Sequence, residues 1–343
     1  MTAIDIQVIT DPKAFYAIAP EWNALVDRSS PEALFTRHDF LTENLRKLQT
    51  GQPRARPYLI LLRRNGHLVA GLPFALRRDR LGTAVLEWLG SGTPLYACMP
   101  GDLSQAELVT HLYAELRRVP VLRKLKVDFV PSETVLASAL RTLGAQEIPL
   151  APRLLRDLST HDLAATISAR RRKKLAQYRK RFMTLGNLRV GTVTEPQELA
   201  ALSDWIMTIK RNWVLQRQGN DTWATDPSTA AYFARMSDVL AKTGRAWGTA
   251  LTLDGQLVCA NLLFQQGDTV FWSKTAHIAD HAALSPGWLA IDHGLQTASE
   301  RGARRMDMMM GSSYLKDTLA TATAPISSFR LKLNPLARLL PMR

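Results

Sequence analysis

Between Ser285 and Lys316 the segment SPGWLAIDHGLQTASERGARRMDMMMGSSYLK brings together several groups able to do chemistry. Ser285-Pro286-Gly287-Trp288 stands at a helix start, where backbone N–H groups lack intrahelical partners and suit a phosphate or pyrophosphate. Asp307, in RRMDMMM, is an acid among apolar neighbours near a strand end. Turned toward a cleft it would gain basicity by desolvation; facing Arg304 or Arg305 it would simply be paired. Lys316 can bind phosphate or orient a carboxylate or sulfate, or lie solvated. Lys274 and His277 end the preceding strand. His277 and His281 have the spacing of zinc ligands on a helix, but Ala-rich sequence lies around them and no third ligand is evident, so no metal is expected.

Local signals define the elements that must hold these groups. Apolar Trp288, Ile291, Leu295 and Ala298 recur at helical spacing, Ser285 can cap the first turn, and Gly302 stops the helix. A strand before it and another through Met306 to Met310 make a strand-helix-strand crossover, followed by a polar turn carrying Tyr314 and Lys316. Upstream, LRVGTVT reads as a strand. Thr194, Pro196 and Gln197 then open a helix with apolar Leu199, Leu202, Ile206, Ile209 and Trp213. Arg211 and Trp213 on that helix are candidate pocket residues, with a core role equally open for Trp213. Asp226-Pro227 opens a helix closed by Gly244, and GTALTL, QLVCANLLFQ and TVFWSKTA form an antiparallel meander.

The first half runs in the same order. IDIQVIT is a strand, Asp11-Pro12 caps a helix reaching Val26, and a second helix is expected from Thr36 to Leu48. YLILLRR and HLVAGLPFAL flank Asn65-Gly66, the strongest short hairpin signal, and AVLEWLG is a further strand before a Gly/Pro-rich loop. Ser104 with Glu107 forms a capping-box pattern, KLKVDFV is a strand, and Ser132 begins a helix that Gly144 ends. NGHLVAGLPF and DGQLVCANLL align without gaps. A duplicated α/β domain is therefore expected, and 343 residues suffice for two. A strand and connection between Ala151 and Ser168 join the halves. The expected domains are 1–158 and 159–343, the second opened by a basic helix over 168–185.

That helix concentrates the net charge of +14: eight of the twelve residues Arg170–Arg181 are basic and none is acidic. Leu175, Tyr178, Phe182 and Leu185 give it a narrow apolar stripe, leaving Arg170, Arg171, Arg172, Lys173 and Lys174 as a solvated face or a surface for a polyanion, whether nucleic acid or a phosphate-rich carrier. No zinc-finger, RRM or heptad pattern accompanies it. No apolar run approaches the roughly eighteen residues a membrane span needs. The N-terminal MTAIDIQVITDP lacks a signal-peptide pattern, so cytoplasm is the default expectation. Cys98 and Cys259 are too few for a disulfide framework.

The basic run RRRKKLAQYRKRF before a strand, the helix bearing KRNW, the DGQLVCANLLF hairpin and the Ser-Pro-Gly to Tyr-x-Lys segment together resemble the CelD/BcsL family of GNAT-like acetyltransferases, similar in turn to the FemABX peptidyltransferases. WNALV near Trp22 and LEWLG near Trp88 extend the resemblance into the first half. It implies an α/β (α+β) fold of two tandem GNAT-like domains, each a mixed sheet flanked by helices. It also implies transfer of an acyl group to an amine or hydroxyl, with a possible association with cellulose or exopolysaccharide production. Direct attack needs an acceptor base, oxyanion donors and an acid for the leaving thiolate. In that scheme Tyr314 is the acid and Asp307 a base; Ser285, Pro286, Gly287 and Trp288 hold the cofactor, acetyl-CoA or another acyl-CoA. Lys274, His277, Arg211, Trp213 and Lys316 bind substrate. The ordinary acetyl-CoA signature would need a basic or amide residue at Leu284 and a small one at Leu289, so an acyl carrier protein or aminoacyl-tRNA donor stays open.

Overall fold

A computed structural model describes residues 3–78, 82–159, 168–217 and 222–333. The strands in chain order are β1 (Ile4–Ile9), β2 (Arg56–Arg64), β3 (His67–Arg78), β4 (Ala84–Trp88), β5 (Leu122–Pro131), β6 (Gln146–Pro149) and β7 (Arg153–Asp157). They continue with β8 (Leu188–Val193), β9 (Ala246–Leu253), β10 (Gln256–Gln266), β11 (Thr269–His277), β12 (Arg305–Met310), β13 (Ala322–Ala324) and β14 (Ile326–Lys332). The helices of the first half are α1 (Pro12–Ala17), α2 (Ala19–Asp27), α3 (His38–Gly51), α4 (Gln105–Arg118) and α5 (Val135–Thr142). Those of the second are α6 (Ala169–Leu185), α7 (Pro196–Gln216), α8 (Thr222–Thr225), α9 (Pro227–Ala241), α10 (Pro286–Glu300) and α11 (Tyr314–Leu319).

Two compact units result, one of residues 3–152 with 324–333, the other Arg153–Thr323. The first sheet has the order β1-β2-β3-β4-β5-β14-β6, the second β13-β7-β12-β11-β10-β9-β8. This division differs from the one expected at 158/159. β7, the last strand of the first half, pairs antiparallel with β12, and β14, near the chain's end, pairs antiparallel with β5. Each half thus gives one strand to the other's sheet, a long-range pairing that local pattern does not encode. The expected connection after β7, over residues 160–167, lies outside the described residues.

Both units carry the same irregularities. Asn65 and Gly66 have φ of 52° and 79°, Asp254 and Gly255 of 50° and 81°, and each pair closes a two-residue hairpin whose turn needs two positive φ values. In both hairpins one residue of the second strand has no opposite, Val69 in β3 and Val258 in β10, positions that coincide in the alignment of the two segments. Phe129 in β5 and Met309 in β12 share left-handed φ values of 59° and 60° where each strand bulges against its antiparallel neighbour.

Several boundaries depart from expectation. The first helix breaks at Ile18 into α1 and α2, with Pro20 supplying the start of the second. Pro31–Thr36 is a 3-10 helix ahead of α3, and α5 is capped by Thr134 rather than Ser132. The capping box at Ser104 and Glu107 forms as expected. On α6, Leu175 and Phe182 are buried but Leu185 is exposed, beyond the reach of the core. On α7, Leu199, Leu202 and Ile206 are buried, and Leu199 and Leu202 rest on β9 at Gly248, where a Cβ would lie 2.5 Å from Leu202. Trp213 is exposed, stacked beneath the Arg217 guanidinium, and has no core role.

The first unit's parallel pair, β4 and β5, is in register only to Glu87 and Lys126. Beyond it a buried stretch, Leu95–Met99, occupies the space and Ala97 donates its N–H to the Phe129 carbonyl. The first unit's gap is filled by its own chain.

Candidate functional site

In the second unit β11 and β12 run parallel but pair only from Thr269, Val270 and Phe271 to Arg305, Met306 and Asp307. β11 continues to His277 and β12 to Met310, so the strands part. Right after the parting β11 bulges: Trp272 faces Leu263 and Lys274 faces Leu262, leaving Ser273 without an opposite. A bulge re-aims side chains and frees backbone groups from the ladder. The Ser273 hydroxyl is buried without a hydrogen-bond partner, and its carbonyl accepts from Lys274 Nζ at 3.1 Å.

α10 begins beside this opening. Trp288, Ile291, Leu295 and Ala298 are all buried against Met306, Met308 and Trp272, as the helical spacing predicts. A Cβ on Gly287 would touch Leu315 of α11 at 3.4 Å, which places the helix start against the segment that follows β12. Ser285 does not cap α10 with its side chain: its backbone is left-handed, φ 51° and ψ 54°, whereas a side-chain cap needs an extended residue. Its hydroxyl instead hydrogen bonds Tyr178 of α6, and that bond, after one from Lys174, holds the Tyr178 phenol below its usual range.

α6 supplies a second contact. The Arg171 guanidinium lies 4.4 Å from the Trp288 ring centroid and donates to the Tyr314 hydroxyl. Tyr314 is 70% exposed and opens α11, a short helix capped by Ser313 where a turn was expected. Arg171 is therefore half-buried against two rings, while Arg170, Arg172, Lys173 and Lys174 remain exposed.

Asp307 is fully buried and paired with Arg153 of β7 at 3.1 Å, and it also accepts from Met309 N at 2.8 Å. β7 belongs to this sheet only through the strand exchange, so the partner could not be read from neighbouring sequence. Lys274 is buried, its Nζ 4.4 Å from the Phe233 ring and 5.1 Å from that of Trp223. Desolvation, with the charges of Lys210 and Lys316, pushes its pKa well below the lysine range. Lys316 donates to the Met310 carbonyl at 3.1 Å, and burial and Lys210 lower its pKa to about 8 against the opposing pull of Asp307 and Asp317. His277, at the open end of β11, is lowered by desolvation and by Lys210.

Lys274, His277 and Lys316 all feel the charge of Lys210, whereas Arg211 is exposed with Trp213. The α7 residue at the site is Lys210. Its signal is spacing, since Lys210 continues the stripe of Leu199, Ser203 and Ile206, which reappears at Val214. Trp223 was also missed, being part of a four-residue helix without periodicity. Among the described residues no three His, Cys, Asp or Glu side chains converge as a metal site requires. No described helix is long and apolar enough to cross a membrane.

A family model described as Acetyltransferase (GNAT) domain matches residues 169–317, the span from α6 to α11. No curated protein sequence matches the chain. Among solved structures, a crystal structure of FemX superposes with a TM-score of 0.66 at 14% identity, covering 97% of this chain and 99% of that one. The C-terminal domain of a putative lysylphosphatidylglycerol synthetase from Agrobacterium fabrum gives 0.59 at 14% identity, covering 95% of each chain. A tandem GNAT protein from the clavulanic acid biosynthesis pathway gives 0.50 at 15%, covering 96% and 98%. At such identities these likenesses concern the fold: two tandem GNAT-like domains, each a mixed sheet flanked by helices. The family match supports acyltransferase activity of the GNAT type in general terms.

Proposed function

We propose that the second unit transfers an acyl group from an acyl-CoA, acetyl-CoA among the candidates, to an amine or hydroxyl. The observation that carries this reading is the parting of β11 and β12 after Phe271 and Asp307, with the start of α10 beside the opening. A thioester arm laid between the strands would meet the bulge at Ser273, where backbone donors suit a developing oxyanion. Ser285, Pro286, Gly287 and Trp288 would hold the donor's phosphates, with α10's N-terminal dipole and Arg171 as favourable charges. Tyr314 would return a proton to the leaving thiolate. Asp307, buried against Arg153, serves this scheme better by fixing β12 than as a base. With Asp307 so engaged, the acceptor's proton would go to one of the groups whose pKa burial lowers, Lys274, His277 or Lys316. Titration with CoA and acetyl-CoA, followed by thermal shift, tests the reading, and no shift at about millimolar ligand would overturn the CoA version.

A second reading rests on the exposed basic face of α6, Arg170, Arg172, Lys173 and Lys174. There the donor is an aminoacyl-tRNA or an acyl carrier protein, or the protein is a non-catalytic nucleic-acid-associated GNAT shell. Binding of tRNA would then weaken steeply with salt. A link to cellulose or exopolysaccharide production rests on the CelD/BcsL resemblance alone.

A further inference from the structure

In the first unit Leu95–Met99 takes the space between β4 and β5, yet a cavity survives at the C-terminal end of β4. Its volume is about 80 Å³, and its walls come from α3, the end of β4 and the loop Leu89–Thr93. Strand C-terminal ends are where open α/β sheets bind ligands. By order along the chain, the counterparts of α3 and β4 in the second unit are α9 and β11, which there hold Phe233 against Lys274.

The lining is polar as well as buried. Asn44 of α3 is 6% exposed and Thr93 is 2% exposed. The Ser91 hydroxyl is buried without a hydrogen-bond partner. The loop turns at Gly90 and Gly92, with φ of 138° and 94°, and a Cβ on Gly90 would lie 3.2 Å from Asn44 Nδ2. A buried hydroxyl left unpaired costs stability in the free protein, and a ligand that bonds it removes that cost. The charged walls do not call for an ion: Glu87 is held by Arg77 at 3.0 Å, and Lys47 has a partner of its own. What the cavity offers is hydrogen bonding to a neutral group.

We propose that this cavity is a binding site for the primary carboxamide of a small-molecule ligand, seated between Asn44 and Ser91. At roughly 30 Å³ for each water-sized group the cavity admits about three non-hydrogen atoms, the carbon, oxygen and nitrogen of a carboxamide. The Asn44 amide presents N–H donors and a carbonyl acceptor in one plane, and a second carboxamide answers both at once. A carboxylate lacks the donor and an ammonium lacks the acceptor, and either would bring an uncompensated charge into a buried place. The Ser91 hydroxyl then donates to the ligand carbonyl or accepts from its N–H. The site lies within the first unit and stands whether or not the second unit transfers acyl groups.

The test is ligand-detected NMR titration of the full chain with acetamide, acetate and methylammonium, which differ in charge and hydrogen bonding but little in size. Wild type should bind acetamide saturably, in the millimolar range expected of so small a ligand, and at least about threefold more tightly than either ion. Asn44→Leu should weaken acetamide about tenfold through the loss of its amide bonds. Gly287→Glu, altered in the second unit, should bind acetamide as wild type does. Equal acetamide binding by wild type and Asn44→Leu would overturn the proposal, as would acetamide lost in Gly287→Glu and kept in Asn44→Leu. So would a preference for either ion, or no saturable acetamide binding below about 100 mM, water alone then filling the cavity. Should Asn44→Leu fail to fold, Ser91→Ala removes only the unpaired hydroxyl and carries the same comparison, with a loss of about threefold or more expected.

Discussion

The Arg171 guanidinium donates a hydrogen bond to the Tyr314 hydroxyl and lies 5.0 Å from that ring's centroid while covering the Trp288 ring at 4.4 Å. One cation from the basic helix is thereby fastened across the first turns of α10 and α11. Each face contact contributes about 0.5–1 kcal/mol where partly exposed. The donation also fixes the direction of the phenol: its oxygen accepts from Arg171, which leaves its own proton free to point at a leaving group.

Tyr314→Phe removes that proton and the acceptor for Arg171 but keeps the ring. Turnover should fall about a hundredfold, with donor affinity within about threefold of wild type. Steady-state kinetics beside CoA titration decides it, and undiminished turnover would end the acid role.

Gly287→Glu tests the donor end. The added Cβ meets only Leu315, at 3.4 Å, so the fold should survive, while the carboxylate stands where first-turn N–H groups must approach an anion. CoA affinity should drop at least about tenfold with the melting temperature within a few degrees.

The lowered lysines make stability depend on pH in a stated direction. Lys316 has a folded pKa of about 8 against an ordinary 10.5. Between these values the unfolded chain holds a proton that the folded chain has released, so stability rises with pH across the window and the gain is lost as pH falls through about 8. Lys274, lowered by burial and by Lys210 and Lys316, acts with the same sign. Urea melts at about pH 7.5 and about pH 9.5 should show wild type gaining more than Lys316→Met, by at most about 3 kcal/mol. An equal change in both proteins would remove Lys316 as the cause.

What the sequence made legible was local. Asn65-Gly66 and Asp254-Gly255 specify their turns by residue type, and α10's four buried positions follow from spacing alone. The exchange of β7 and β14 was not legible, because pairing over such separations is set by tertiary contacts. With it went the partner of Asp307, since Arg153 lies on β7. Lys210 was hidden by its type: a lysine on an apolar stripe reads as a break in the pattern, whereas here it marks the side that faces the site. The bulge at Ser273 leaves no trace in FWSKTAH, whose residues would suit an unbroken strand equally well.

The basic face of α6 separates the two donor classes. Arg171 is held by Trp288 and Tyr314, so its replacement would disturb the donor end as well as the surface charge. Arg170, Arg172 and Lys173 are exposed, and reversing these three to Glu changes the local charge by about six units with little packing to lose. The melting temperature should stay within a few degrees of wild type and CoA affinity within about threefold. Binding of tRNA or an acyl carrier protein, if either is the donor, should fall at least about tenfold, and for tRNA the slope of log affinity against log salt should become shallower by about one unit or more. Gel shifts over a salt series measure both quantities for tRNA. Unchanged tRNA affinity and slope in the triple variant would remove α6 as its surface, and with it the observation that favours the second reading.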